Sequence, residues 1–133
     1  MTYLLDTNIC VFWLRSNASV RQRFDEAGIN SYCISQVTVF ELRFGAENSD
    51  NPSKSHSDLD NFLQGLSVIS LDNIEMHYAK EKARLRKLGI PLHDEFDLII
   101  GATAVEHNYI LVTDNTKHFN RIENIQLENW LSR

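Results

Sequence analysis

Three short runs of uninterrupted apolar residues, each halted by a polar group, restrict what this chain can become. They are Tyr3-Leu4-Leu5 before Asp6, Tyr32-Cys33-Ile34 before Ser35, and Tyr109-Ile110-Leu111-Val112 before Thr113. Runs this short, bounded by polar residues, have the length of a strand rather than of a helix. With no polar residue alternating into them, they read as strands covered on both faces. Val68-Ile69-Ser70-Leu71 is β-rich in the same way, and Ile125-Gln126-Leu127 is a last short candidate.

Helical periods fill the intervals. Asn8 to Arg15 reads as a helix, and Val20 to Ala27 follows, with Gly28 as its stop. Ser35 is placed to cap a helix carrying Val37, Phe40, Leu42 and Phe44, with Phe40 expected mainly in the core. The stretch Asn48 to Ser55 reads as a loop because it is polar and holds Pro52. Leu59 to Leu66 is the next helix. Asp72 is positioned to cap a long one through Met76, Ala79, Ala83 and Leu88, ended by Gly89-Ile90-Pro91. Asp94 is positioned to cap Phe96 to His107. Strands alternating with helices predict an α/β fold with a central parallel sheet of four to five short strands and helices on both faces.

The chain has 133 residues, enough for one domain (1–133) with a real core. No apolar run approaches the roughly 20 residues of a membrane span. Asp6 interrupts the N-terminal apolar stretch, so no secretory leader is expected. Cys10 and Cys33 lie in apolar surroundings, which predicts buried free thiols and a cytoplasmic protein. The net charge of −5 argues against nucleic-acid binding by overall charge. A local basic face or a metal ion is still open to such a chain.

Parallel sheets put their sites beyond the carboxyl ends of the strands, where strand order switches. Acids stand at those positions. Asp6 ends the first strand, Asp114 ends the strand at Ile110–Thr113, Asp97 lies in the first turn of the helix after Asp94, and Glu41 sits between Phe40 and Leu42. Singly, each has a structural reading as a turn residue, helix cap or solvent-facing charge. Together they would repel one another unless a cation intervened. Hard oxygen donors point to Mg2+ or Mn2+, one or two ions. The five histidines show no ligand spacing with cysteine that would favour zinc.

The blocks Leu5-Asp6-Thr7-Asn8, Ile34 to Gly45, Phe96 to Ala102, Leu111 to Asn115, Phe119 to Ile122 and Glu128-Asn129-Trp130 come in a particular order and spacing. In that order the chain resembles a PIN-domain ribonuclease toxin of the VapC type, from Leu4 to Trp130. The resemblance implies a metal-dependent endoribonuclease inhibited by a cognate VapB-like antitoxin, a homodimer, and a higher assembly with that antitoxin. It implies an RNA substrate, tRNA among the candidates. It makes Asp6, Glu41 and Asp97 the acidic metal ligands. Thr7 and Asn8 become supporting residues, with Asn8 holding Asp6 or a ligand water, and Thr113 a hydroxyl behind the pocket. The fourth acid departs from the pattern. Relatives carry it where this chain has Asn115 or His118, whereas here Asp114 is the acid present and the fourth catalytic and metal-binding candidate, with Asn115 the alternative as a neutral ligand or one acting through water.

For RNA, Lys80, Lys82, Arg84, Arg86 and Lys87 are five basic residues in eight positions. Helical spacing puts Lys80, Arg84 and Lys87 on one face. Arg15, Arg43 and Lys117 are alternative contacts near the motif residues, and Trp13 is a candidate surface for an antitoxin segment. Two rivals remain. One is a non-catalytic PIN-like module that binds RNA or antitoxin. The other, a phosphatase of the haloacid-dehalogenase type, needs an acid where Asn8 stands.

Overall fold

The computed structural model describes residues 2–131. In chain order the elements are β1 (Tyr3–Leu5), α1 (Thr7–Leu14), α2 (Ala18–Ala27), β2 (Tyr32–Ser35), α3 (Gln36–Glu47) and α4 (Pro52–Leu63). Then come β3 (Ser67–Ile69), α5 (Glu75–Lys87), α6 (Glu95–His107), β4 (Ile110–Val112), α7 (Thr116–Phe119) and β5 (Gln126–Glu128). All strand pairs are parallel and the sheet order is β3-β2-β1-β4-β5. The chain therefore winds outward from β1 to β3, crosses back, and continues from β4 to β5 on the other side. The switch point lies between β1 and β4.

Strand pleat divides the interior. Leu5, Ile34 and Val112 point to one face, where they pack with Ile9, Val20, Phe24, Leu42, Leu59 and Trp130 under α1 to α4. Leu4, Cys33 and Leu111 point to the other, with Leu85, Leu98, Ile100 and Phe119 from α5 to α7. Both faces are dry, which explains why the strands read as continuous apolar runs. Cys10 belongs to the first core and Cys33 to the second, so the sheet separates the two free thiols.

Helix boundaries follow local chemistry, with three corrections to expectation. The Asn48–Ser55 stretch is only partly a loop. Asn51 accepts a hydrogen bond from the Lys54 amide, and Pro52 opens α4, a position where its missing N–H costs nothing. Asp72 does not cap α5, because a turn from Leu71 to Ile74, with Asn73 at φ 67°, delays the helix to Glu75. Phe40 is 71% exposed rather than in the core, since α3 turns Val37, Thr38, Leu42 and Ala46 inward. No helix among the described residues is long and apolar enough to cross a membrane.

Trp130 closes the first core. It packs edge-on against Tyr3 and Phe24, with ring centroids 5.1 and 5.6 Å away. Its indole N–H donates to Glu128 Oε1 at 2.9 Å, and its carbonyl accepts from the Ser19 hydroxyl at 2.8 Å. Trp130→Ala is expected to cost about 3–5 kcal/mol of stability, the usual range for emptying a buried aromatic site. A urea titration followed by circular dichroism measures it, and a loss below about 1 kcal/mol would contradict this packing role.

Candidate active site

The switch point is stitched at one residue. Asp6 leaves β1 in an extended conformation, its amide donates to the Val112 carbonyl at 2.9 Å, and its carboxylate caps α1. Oδ1 accepts from the Thr7 amide at 2.8 Å, and Oδ2 accepts from the Thr113 hydroxyl at 2.9 Å. Thr113 continues from β4, so the ends of both central strands meet at this carboxylate. Asp6 is 3% exposed.

Two further carboxylates face it. Glu41 comes from α3, where its Oε1 accepts from the Thr7 hydroxyl at 2.6 Å, and that hydroxyl also meets Thr38 Oγ1 at 3.1 Å. The buried Thr38 thus ties α3 to the start of α1. Asp97 stands in the first turn of α6, whose cap Asp94 accepts from the Phe96 and Asp97 amides at 3.0 and 3.2 Å. Asp97 Oδ2 lies 3.0 Å from His118 Nε2.

The electrostatics describe a pocket short of positive charge. Burial pushes Asp6 up to about 7; the Thr113 hydroxyl and Thr7 amide oppose this, while Asp97 and Glu41 add to it. Burial, then Asp94 and Glu41, raise Asp97 to about 6. Glu41 is also raised, by burial and by Asp94, against the Thr7 hydrogen bond. His118 moves down, through burial and the nearby Arg121. The imidazole is therefore mostly neutral at pH 7, and the contact with a carboxylate assigns its proton to Nε2. Among the described residues, no three acidic, imidazole or thiol groups already form a closed ligand set. The three carboxylates instead share a field, each held from behind by a hydroxyl, an amide or an imidazole.

The site therefore brings together Asp6, Thr7, Glu41, Asp97 and Thr113. Asn8 is exposed on α1, and the groups that hold the Asp6 carboxylate are the Thr113 hydroxyl and the Thr7 amide. Asp114 follows Thr113, half-buried at a bend, and the exposed Asn115 donates its amide to Thr113 Oγ1 at 3.0 Å. Asp94 and His118 are the residues that sequence reasoning missed as members of the site. The DEFD stretch at 94–97, two acids three residues apart, was the signal available for Asp94.

The basic candidates separate. Arg84 is committed to the buried Glu81, by two hydrogen bonds at 2.8 and 2.6 Å, and to the Arg121 carbonyl. Lys82 pairs with Glu95 and Arg43 with Asp60. Lys80, Arg86, Lys87, Lys117 and Arg15 are exposed. Arg15 also edges a groove of about 280 Å³ that runs from Glu41 past Val11, Leu14, Leu42 and Leu59. Trp13 packs partly buried against the first core, tilted against Phe24 and Phe62 beneath the Arg21 guanidinium.

Residues 3–125 match the PIN domain family. The chain is 35% identical over 132 residues to the tRNA(fMet)-specific endonuclease VapC of Shigella flexneri, covering 98% of both chains. It is 35% identical over 133 residues to ribonuclease VapC2 of Rickettsia felis, again covering 98% of both. The fold superposes on that of DNA-bound VapBC from Salmonella typhimurium with a TM-score of 0.92 at 31% identity, over 98% of this chain and 99% of that one.

Raised carboxylates make the metal-free protein a pH-dependent one. The folded chain keeps protons on Asp6 and Asp97 that the unfolded chain would release, so stability is full below the ordinary carboxylate range and falls as pH rises to about 7. The Asp6 part is on the order of 4 kcal/mol, at about 1.4 kcal/mol per pKa unit. Asp6→Asn is therefore expected to raise Tm by several degrees over wild type at pH 8 in EDTA, with most of the gap closing at pH 5. Equal gaps at both pH values would disprove the burial cost assigned to Asp6.

Proposed function

The chain belongs to the PIN-domain family, and we propose that it is a divalent-metal-dependent endoribonuclease, the toxin of a toxin–antitoxin pair. The observation that carries this reading is Asp6, nearly buried at the switch point with its charge set against Asp97 and Glu41. So costly an arrangement is relieved by a cation. Its donors are all hard oxygens, which suit Mg2+ or Mn2+.

Asp6, Glu41 and Asp97 are the residues that would hold the ion, and Asp114 adds charge at the same sheet edge. A divalent ion held there would supply Lewis acidity for hydrolysis of a phosphodiester. The chain's own groups prepare the site. Thr113 and the Thr7 amide fix both oxygens of Asp6, so its carboxylate needs no reorganisation. Thr7 holds Glu41 in the same way and couples it to Thr38. Arg15 and Lys117, exposed beside Glu41 and His118, are the phosphate contacts we assign first, with Lys80 and Lys87 further along α5.

The substrate is RNA, with tRNA the class named for the Shigella flexneri relative. The partner is a VapB-like antitoxin, as in the solved VapBC complexes. The groove that runs from Glu41 between α1, α3 and α4 has an apolar floor of Val11, Leu14, Leu42 and Leu59 with Arg15, Ser49, Ser55 and Asp58 also in its lining, which fits an amphipathic segment that sets a basic side chain against Glu41. Phe40 and Phe44, 71% and 69% exposed one turn apart on α3, give a second apolar surface for an antitoxin or a second copy of the chain.

A second reading, a domain that binds RNA or antitoxin without cutting, draws on the open spacing of the carboxylates. Purified, antitoxin-free protein decides between them. Cleavage of tRNA and of a single-stranded RNA is expected with Mg2+ or Mn2+ and is abolished by EDTA. Asp6→Asn, Glu41→Gln and Asp97→Asn should each lower the rate at least about 100-fold while remaining folded. RNA binding with no cleavage in either metal would support the second reading instead. Arg15→Ala and Lys117→Ala should each weaken RNA binding and shallow its salt dependence by about one unit of slope; an unaltered slope would exclude them as phosphate contacts.

A further inference from the structure

His118 is held in place more firmly than a surface histidine on a four-residue helix requires. Its helix, α7, is anchored by Phe119, which is 1% exposed. Arg121 then clamps it: Nε donates to the His118 carbonyl at 2.9 Å, and Nη1 donates to the Pro91 carbonyl at 2.9 Å. Arg84 on α5 donates to the Arg121 carbonyl at 2.8 Å and steadies the clamp. Pro91 lies just ahead of α6, the helix that carries Asp97. The hydrogen bonds therefore form a closed circuit. It passes from the segment before α6 through Arg121 to His118, and from the His118 ring back to Asp97 Oδ2 at 3.0 Å. The Asp97 backbone is fixed separately, by the Asp94 cap. Main chain and side chain of this one acid are thus set by two independent supports.

We infer that His118 is a positioning residue for the metal site, holding Asp97 Oδ2 so that Oδ1 is the freer oxygen and the pocket takes a single divalent ion. A paired-ion centre needs its two ions about 3.5–4 Å apart, with carboxylates shared between them. A carboxylate with one oxygen engaged by an imidazole N–H serves one ion well and bridges two poorly. The other two acids are similarly engaged, Asp6 at both oxygens and Glu41 at Oε1, and each engaged oxygen keeps one lone pair, enough for one ion and too few to bridge two. His118 itself, turned toward Asp97, is a support and not a ligand. Outer partners of this kind typically govern metal affinity by about 10–100-fold. This inference rests on the carboxylate site proposed above.

The test is Mn2+ binding to the full chain without RNA, by titration calorimetry and electron paramagnetic resonance. Wild type is expected to bind one Mn2+ per chain, with no 14N coupling from a directly ligated imidazole. His118→Ala should bind it about 10–100-fold more weakly, and His118→Gln, which keeps a side-chain N–H donor, should recover most of that loss. His118→Glu should admit a second ion. Circular dichroism melts check that the variants fold; should His118→Ala not fold, the wild-type stoichiometry and the His118→Gln and His118→Glu titrations decide. Two ions in wild type, a 14N coupling, or unchanged affinity in a folded His118→Ala would each overturn the inference while leaving the carboxylate site standing. No Mn2+ bound by wild type, or undiminished binding by Asp6→Asn, would overturn the carboxylate site itself.

Discussion

The hydrogen bond from the Thr113 hydroxyl to Asp6 Oδ2 joins the ends of β1 and β4, and much of the molecule is arranged around it. It crosses the point where strand order reverses, the one place on a doubly wound sheet where two loops part and leave an opening. It also lets a carboxylate exist with almost no contact with water. A buried, unpartnered carboxylate would be prohibitive. Two hydrogen bonds reduce that cost without removing it, and the residual strain is visible in how strongly Asp6 retains its proton. The core on either side of the sheet supplies the stability that tolerates it.

The same economy of groups recurs in the neighbouring residues. Thr7 begins α1, gives its amide to Asp6 and gives its hydroxyl to Glu41, so one residue sets two carboxylates. Asp94 caps α6 and its charge acts on Glu41 and Asp97. Structural capping and site electrostatics are therefore inseparable here. A substitution at Thr7 or Asp94 disturbs both a helix start and the field in the pocket.

The strands were legible because a short apolar run has one place to go, between two dry faces. Asp6, Glu41 and Asp97 were legible for the complementary reason, as charges in positions where a charge is expensive. What stayed hidden depended on distant partners. His118 sits on a helix too short to show periodicity, and it reaches Asp97 across 21 positions in the chain. Arg84 shared a helical face with Lys80 and Lys87 on spacing alone, but the buried Glu81 draws it inward. Phe40 and Phe44 had core-like spacing with Val37, yet α3 rotates so that Thr38 faces inward to meet Thr7. For His118 and for α3 the deciding contact joins residues that local spacing does not relate.

The outermost strands, β3 and β5, are three residues long, and Ser67 and Val68 of β3 are already exposed. So little free backbone at the borders gives another chain almost nothing to zip onto by strand addition, and it protects the protein from edge-to-edge polymerisation. Whatever recognises this protein must therefore read its side chains along helices and grooves.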